Sequence, residues 1–201
     1  MAQSNRLERM VSEGISDQEC IRRLHRGEVE VFEVLVRRYQ KTIFNLVYRV
    51  LGDYQEAAEI SQEVFLSAYR AIRQFRGDAS FSTWLYRIAL NHASTRRKSI
   101  ASWQKQTVPI DVVDPVSDQR LEPGQAMEQK ETQQRVQRAL NSLEPHDAMI
   151  ILLRDLQDVP YDEVAQILEI PLGTVKSRLH RARQALRLRL APYLNGDRSE
   201  Q

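Results

Sequence analysis

YDEVAQILEIPLGTVKSRLHRAR, residues 161–183, is the stretch on which the fold turns. A short apolar-periodic segment, Tyr161 to Leu168, meets a tight connection, Glu169-Ile170-Pro171, and then a basic segment. Val164, Ile167 and Leu168 fall on one side of the first segment. Val175, Leu179, Ala182, Leu186 and Leu190 make an inner stripe along the second. Small Ala165 stands where two helices crossing at a steep angle need close approach. Between Pro171 and Ala191 there are six Lys or Arg and no Asp or Glu. Thr174, Lys176, Ser177, Arg178, His180 and Arg181 lie in the first half of this basic segment, with Lys176, Ser177, His180 and Arg181 on its outer face. A helix that enters a major groove has this layout, with base-reading side chains in its N-terminal half and phosphate partners around them. The segment predicts a helix-turn-helix. The turn spacing and Ala165 weigh against the blander alternative, a solvated basic face on a helical hairpin.

Upstream, helical periodicity dominates and alternating β-branched runs are almost absent. Ser16 with Glu19 fits a capping box, and Gly27 follows as a stop. Phe32, Leu35, Val36, Tyr39, Ile43, Leu46, Val47 and Val50 form one stripe at spacings of three and four, ended by Gly52. Asp53 with Glu56 opens the next helix, expected to run to about Phe75 with Ile60, Val64, Ala68 and Ile72 inward. Arg76-Gly77-Asp78 breaks the pattern, and a further helix is expected from about Ser82 to Arg97. Ser99 to Gly124 holds Pro109, Pro115 and Pro123 and no apolar stripe, so it reads as a linker. The expected fold class is all-α: two small helical domains joined by a flexible linker, the C-terminal one a helix-turn-helix. The expected boundaries are 1–98, 99–124 and 125–201.

Bulk composition narrows the function. The chain has 201 residues, 42% hydrophobic and 28% charged, which fits globular domains. A net charge of +2 excludes a histone-like polycation, so a nucleic-acid partner would have to meet clustered basic residues. One cysteine, Cys20, excludes an internal disulfide, and with four scattered histidines it makes no ordinary zinc site. No apolar run approaches the roughly 20 residues of a membrane span, and Met1 to Gly14 is no signal peptide. No stable membrane insertion and a cytoplasmic location are expected. There is no Gly-rich phosphate loop and no nucleophile–base spacing, so no enzyme activity and no cofactor are expected.

Two surfaces of the N-terminal half carry signal. Arg70 to Lys98 contains seven Lys or Arg against one Asp, interleaved with Phe75, Phe81, Trp84 and Tyr86. Cations with aromatics suit unpaired bases: phosphates meet Arg and Lys, and bases stack on rings or enter pockets. The alternative for Trp84 and Phe81 is core packing, which is the favoured reading of Phe75. Asn91, about two turns beyond Trp84, places an amide on nearly the same side. The preceding helix exposes Glu59, Gln62, Glu63 and Leu66 opposite its inner stripe, a solvated face or a docking strip.

Residues 31–91, VFEVLVRRYQKTIFNLVYRVLGDYQEAAEISQEVFLSAYRAIRQFRGDASFSTWLYRIALN, together with residues 160–186, PYDEVAQILEIPLGTVKSRLHRARQAL, resemble the extracytoplasmic-function class of bacterial sigma factors. The resemblance covers roughly Asp17 to Leu190, with the two segments in the right order and at the right separation. It implies promoter-specific initiation with core RNA polymerase. Glu59, Gln62, Glu63 and Phe65 would dock on the β′ clamp helices, and the β flap would be a second contact. Arg76, Gly77, Asp78, Phe81, Trp84, Arg87 and Asn91 would read melted −10 DNA. Thr174, Lys176, Ser177, Arg178, His180 and Arg181 would read the −35 duplex. It also implies an anti-sigma factor as a partner and a role in stress response. The rival from the residues alone is a conventional helix-turn-helix regulator, which would bind DNA without polymerase.

Overall fold

Residues 14–104, 132 and 134–194 are described by a computed structural model; most of the expected linker, 105–124, lies outside the described residues. α1 (Asp17–His25) starts on Ser16, whose Oγ accepts the Glu19 N–H at 3.2 Å. A short 3-10 turn, Val29–Val31, leads into α2 (Phe32–Leu51). Leu35, Ile43, Leu46, Val47 and Val50 of the apolar stripe are buried, while Val36 and Tyr39 are half-buried at its edge. α2 ends at Gly52 with φ 79°, a left-handed cap that glycine takes without the Cβ clash other residues meet. Asp53 caps α3 (Tyr54–Ala71) through its carboxylate, which accepts the Glu56 N–H at 2.8 Å.

α3 stops four residues earlier than its apolar pattern, and Ile72–Gln74 tighten into a 3-10 turn that buries Ile72. α4 (Phe81–Gln104) packs against both α2 and α3. It starts on Ser80, whose Oγ accepts the Thr83 N–H at 3.1 Å, and it runs past Lys98 into the segment expected to be linker. Cys20, fully buried on the inner side of α1, has its thiol pushed up by burial. Tyr39 donates to the Asp17 carboxylate, which also pairs with Arg38, so α1 is pinned to α2.

The second unit begins with α5, residues 134–141, followed by α6 (Pro145–Ile151). α6 passes directly into a π-helical stretch, Leu152–Leu156, that buries Leu152 and Leu153. α7 (Tyr161–Leu168) and α8 (Leu172–Leu194) follow, and α8 reaches four residues beyond Leu190. Val164, Ile167, Val175, Leu179 and Ala182 are buried between them, with Ala165 half-buried at the crossing. Among the described residues there is no strand, and no helix is long and apolar enough to cross a membrane.

The two units touch. Gln137 Nε2 donates to the Arg49 carbonyl at 2.8 Å, and Arg97 Nη2 donates to the Asn141 carbonyl at 3.2 Å. A Cβ at Gly52 would lie 2.9 Å from Asn141 Nδ2, so glycine serves both the cap and this approach. α7 lies against α4.

Candidate nucleic-acid interface

The recognition helix α8 has two faces of opposite character. Val175, Leu179 and Ala182 are buried, and Lys176, Ser177, His180 and Arg181 are exposed one step around the helix. Thr174 and Arg178 are half-buried at the edges of that face. Among the described residues no acidic side chain pairs with Lys176, Arg178 or Arg181. Ser177 Oγ donates to the Thr174 carbonyl at 3.1 Å, and Gln184 Nε2 lies 3.1 Å from His180 Nε2. Arg183, further along, is held by Asp155 of the π stretch, Nε to Oδ2 3.0 Å, which keeps that guanidinium charged and fixed. The sequence reading missed Asp155, because the π register that presents it has no pattern in the residues.

The break between α3 and α4 builds a second site. Arg76, Gly77 and Asp78 are exposed, and Gly77 has φ 78°. With Phe75, Thr83, Trp84 and Arg87 they line a cavity of about 350 Å³. Two rings line it, Phe75 and Trp84, with centroids 5.1 Å apart, and Phe81 packs behind them, 6.1 Å from Phe75 and 5.7 Å from Trp84. Phe81, expected among the −10 contacts, is 3% exposed and also packs on Tyr39. Its ring supports Trp84, which is half-buried with one side open to the cavity. Asn91 is exposed on α4, beside Arg87, Ser94, Arg97 and Lys98 at a neighbouring cleft. Ser80 and Thr83 at the helix start were not singled out in the sequence, although a Ser just ahead of a helical run is a preferred N-cap.

The strip on α3 is divided by the fold. Gln62 and Phe65 line a groove of about 780 Å³ between α2 and α3, together with Leu66, Phe32, Phe44 and Tyr69. Leu66 is 55% exposed, the most exposed large apolar side chain among the described residues of the N-terminal unit. Glu59 and Glu63 turn the other way, onto α4: Arg96 Nη2 is 2.9 Å from Glu59, and His92 Nδ1 is 3.3 Å from Glu63. Four residues expected to act as one strip therefore form two pairs.

The family model described as Sigma-70 region 2 matches residues 35–103, and that described as Sigma-70, region 4 matches residues 133–186. The ECF RNA polymerase sigma-E factor of Escherichia coli strain K12 is 36% identical over 194 residues, 92% of this chain and 99% of the relative. The chain belongs to the extracytoplasmic-function sigma factors. The RNA polymerase sigma-H factor of Pseudomonas aeruginosa is 35% identical over 184 residues, 89% of this chain and 95% of the relative. Two solved structures share the fold at 21% identity and TM-score 0.65. One is RpoE of Bartonella quintana with the anti-sigma factor NepR, covering 80% of this chain and 96% of its own. The other is CnrH with the cytosolic domain of CnrY, covering 90% and 98%.

As a sigma factor, the chain directs promoter-specific transcription, and the conventional regulator is not favoured, since a regulator's output domain would account only for the second match. The exposed face of α8 falls within the region 4 match, and Phe75 to Arg87 of the cavity and Gln62, Phe65 and Leu66 of the groove fall within the region 2 match.

Proposed function

We propose that this sigma factor reads the −35 element as duplex with α8 and captures unpaired −10 bases in the Arg76–Trp84 cavity. Its domains would be 1–98 for polymerase docking and the −10 element and 125–201 for the −35 element, joined by 99–124. Lys176, Ser177, His180 and Arg181 would meet base edges and phosphates, with Thr174 and Arg178 at the rim. Arg76, Arg87 and Asn91 would hold the strand while Trp84 stacks on an extruded base. Gln62 and Phe65, in the α2–α3 groove, would dock on the β′ clamp helices of core polymerase, with Glu59 and Glu63 on the flank and the β flap meeting the C-terminal domain. An anti-sigma factor is the expected antagonist, and the cytoplasm the expected location. No covalent chemistry is assigned to the chain.

The observation that carries this reading is the aromatic-walled cavity of about 350 Å³ beneath an exposed Arg-Gly-Asp turn. A duplex reader has no use for such a hole; a protein that takes a base out of its stack needs one. The test is run-off transcription with reconstituted holoenzyme, paired with chemical probing of unpaired thymines at −10. Trp84→Ala and Asn91→Ala should cut strand opening on the cognate promoter while polymerase binding persists. Equal transcription from a promoter with a scrambled −10 element would sink the reading.

A further inference from the structure

One face of α3 carries a polar ladder that α4 holds in place. Glu56, Glu59, Glu63 and Ser67 follow at spacings of three, four and four, so they line one side of α3. His92 and Arg96, four apart on α4, meet them in antiparallel order. The Arg96 guanidinium is forked: Nε lies 3.0 Å from Glu56 Oε2, and Nη2 lies 2.9 Å from Glu59 Oε1. The His92 ring is held on both sides, with Nε2 3.0 Å from Ser67 Oγ and Nδ1 3.3 Å from Glu63 Oε2. With its proton on Nδ1, such a ring donates to the carboxylate and accepts from the hydroxyl. Among the described residues, the second oxygens, Glu59 Oε2 and Glu63 Oε1, meet no donor of the chain.

We propose that Arg96 and His92 are positioning residues for polymerase docking: each holds one oxygen of a flank carboxylate, Glu59 or Glu63, and leaves the other oxygen for a donor on core polymerase. This rests on the docking reading of the α3 strip given above. Three observations carry it. Arg96 is anchored inward, because Glu56 Oε2 is buried with no hydrogen bond among the described residues and the guanidinium is the charge that offsets its burial. Glu59, on the outer arm of the same fork, is 60% exposed, so its carboxylate is both fixed and reachable. Arg96 and His92 line neither the Trp84 cavity nor the Asn91 cleft, so they stand apart from the surface assigned to DNA. A long acid ordered in advance has less rotamer freedom left to lose when a partner binds. The Arg96–Glu59 and His92–Glu63 pairs are open to solvent on their acid side and contribute little to folding, so their effect belongs to the docking step.

The test is a double-mutant cycle on the labelled full chain, read as affinity for core RNA polymerase by fluorescence polarisation. Arg96→Ala and Glu59→Ala should each weaken binding roughly two- to fivefold. Arg96→Ala added to Glu59→Ala should cost nothing further, because the positioned group is already gone. Arg96→Lys keeps the charge but not the fork and should recover only part of the loss. His92→Ala should follow the same pattern with Glu63→Ala at about twofold, and His92→Gln, which keeps a donor, should recover part of it. Arg96→Ala strands the Glu56 carboxylate, so thermal melting checks the fold. Should it melt early, the same cycle in a Glu56→Gln background removes the stranded charge and keeps the comparison. An equal loss from Arg96→Ala with and without Glu59 would show a clamp between helices and overturn the positioning role. Unchanged binding in Arg96→Ala, while Gln62→Ala weakens it, overturns that role and leaves the docking reading intact. If Gln62→Ala and Glu59→Ala both bind like wild type, the docking reading itself falls, and this inference with it.

Discussion

The two DNA-facing surfaces are built on opposite plans. The face of α8 is a row of exposed polar and cationic side chains on a helix whose other side is sealed into the core, with no acid paired to Lys176, Arg178 or Arg181 among the described residues. The face around α4 is a hole lined by rings, and its hydroxyls and Arg87 already hold carboxylates of the same chain. A duplex offers its information on the outside, so a reader needs only a rigid, positive edge. An unpaired base must be received, which takes depth, aromatic walls and a way to keep the hole from being filled wrongly. One surface is always open; the other is conditional.

The largest test asks whether the two surfaces are supported independently. Leu85 and Leu179 are both buried, one under each surface. Either residue changed to Ala should cost about 2–5 kcal/mol in denaturant unfolding. Leu85→Ala should degrade −10 strand binding with −35 duplex binding kept, and Leu179→Ala the reverse. Loss of both activities in either variant would show that the interunit contacts make one folding unit.

Next come the readers themselves. Lys176→Ala and Arg181→Ala should each weaken −35 duplex binding, by about 1–3 kcal/mol where the lost contact is bidentate to a base. An equal loss on scrambled duplex would assign a phosphate contact, and no loss on any sequence would remove α8 from the interface. Trp84→Ala should cost a similar amount, about 1–3 kcal/mol, but only on single strands, since stacking needs an unpaired base. A comparable loss on duplex would erase the contrast between the two plans.

The docking strip gives a smaller, divided effect. Gln62→Ala should weaken core polymerase binding, measured by fluorescence polarisation, by several-fold. Glu63→Ala should do less, because that side chain leans on His92 of α4 rather than lining the groove. Equal losses would restore a single strip. The least effect is expected from Asp155→Asn, which loosens Arg183: an exposed pair of this kind contributes about 0.2–1 kcal/mol, seen as a small shift in thermal midpoint.

How much of this was legible in the sequence follows from which interactions are local. The stripe from Phe32 to Val50, the Asp53 cap and the Tyr161–Arg183 pattern are read within one or two turns, and the fold reproduces them. The exposed face of α8 came with its periodicity. What was not legible was non-local or off-register. Phe81 looked like a base contact because sequence shows its company of cations, not the Tyr39 and Phe75 rings that bury it. The π stretch after Ile151 depends on how Leu152 and Leu153 seat in the core. Glu163 reaches Ser80 across 83 positions, a contact no helical period predicts. Asp162 and Glu163 stand in the first turn of α7, where the helix dipole favours acids, so nothing local marks Glu163 for a distant partner.

The sealed position of Cys20 has a practical consequence for such experiments. It is the chain's one cysteine, its side chain is fully buried, and its thiol is held in the protonated, unreactive form by that burial. A cysteine introduced on α7 or near Arg76 would take a maleimide dye at neutral pH while Cys20 stays silent, so the native background already serves as a single-site labelling platform for watching the two units part.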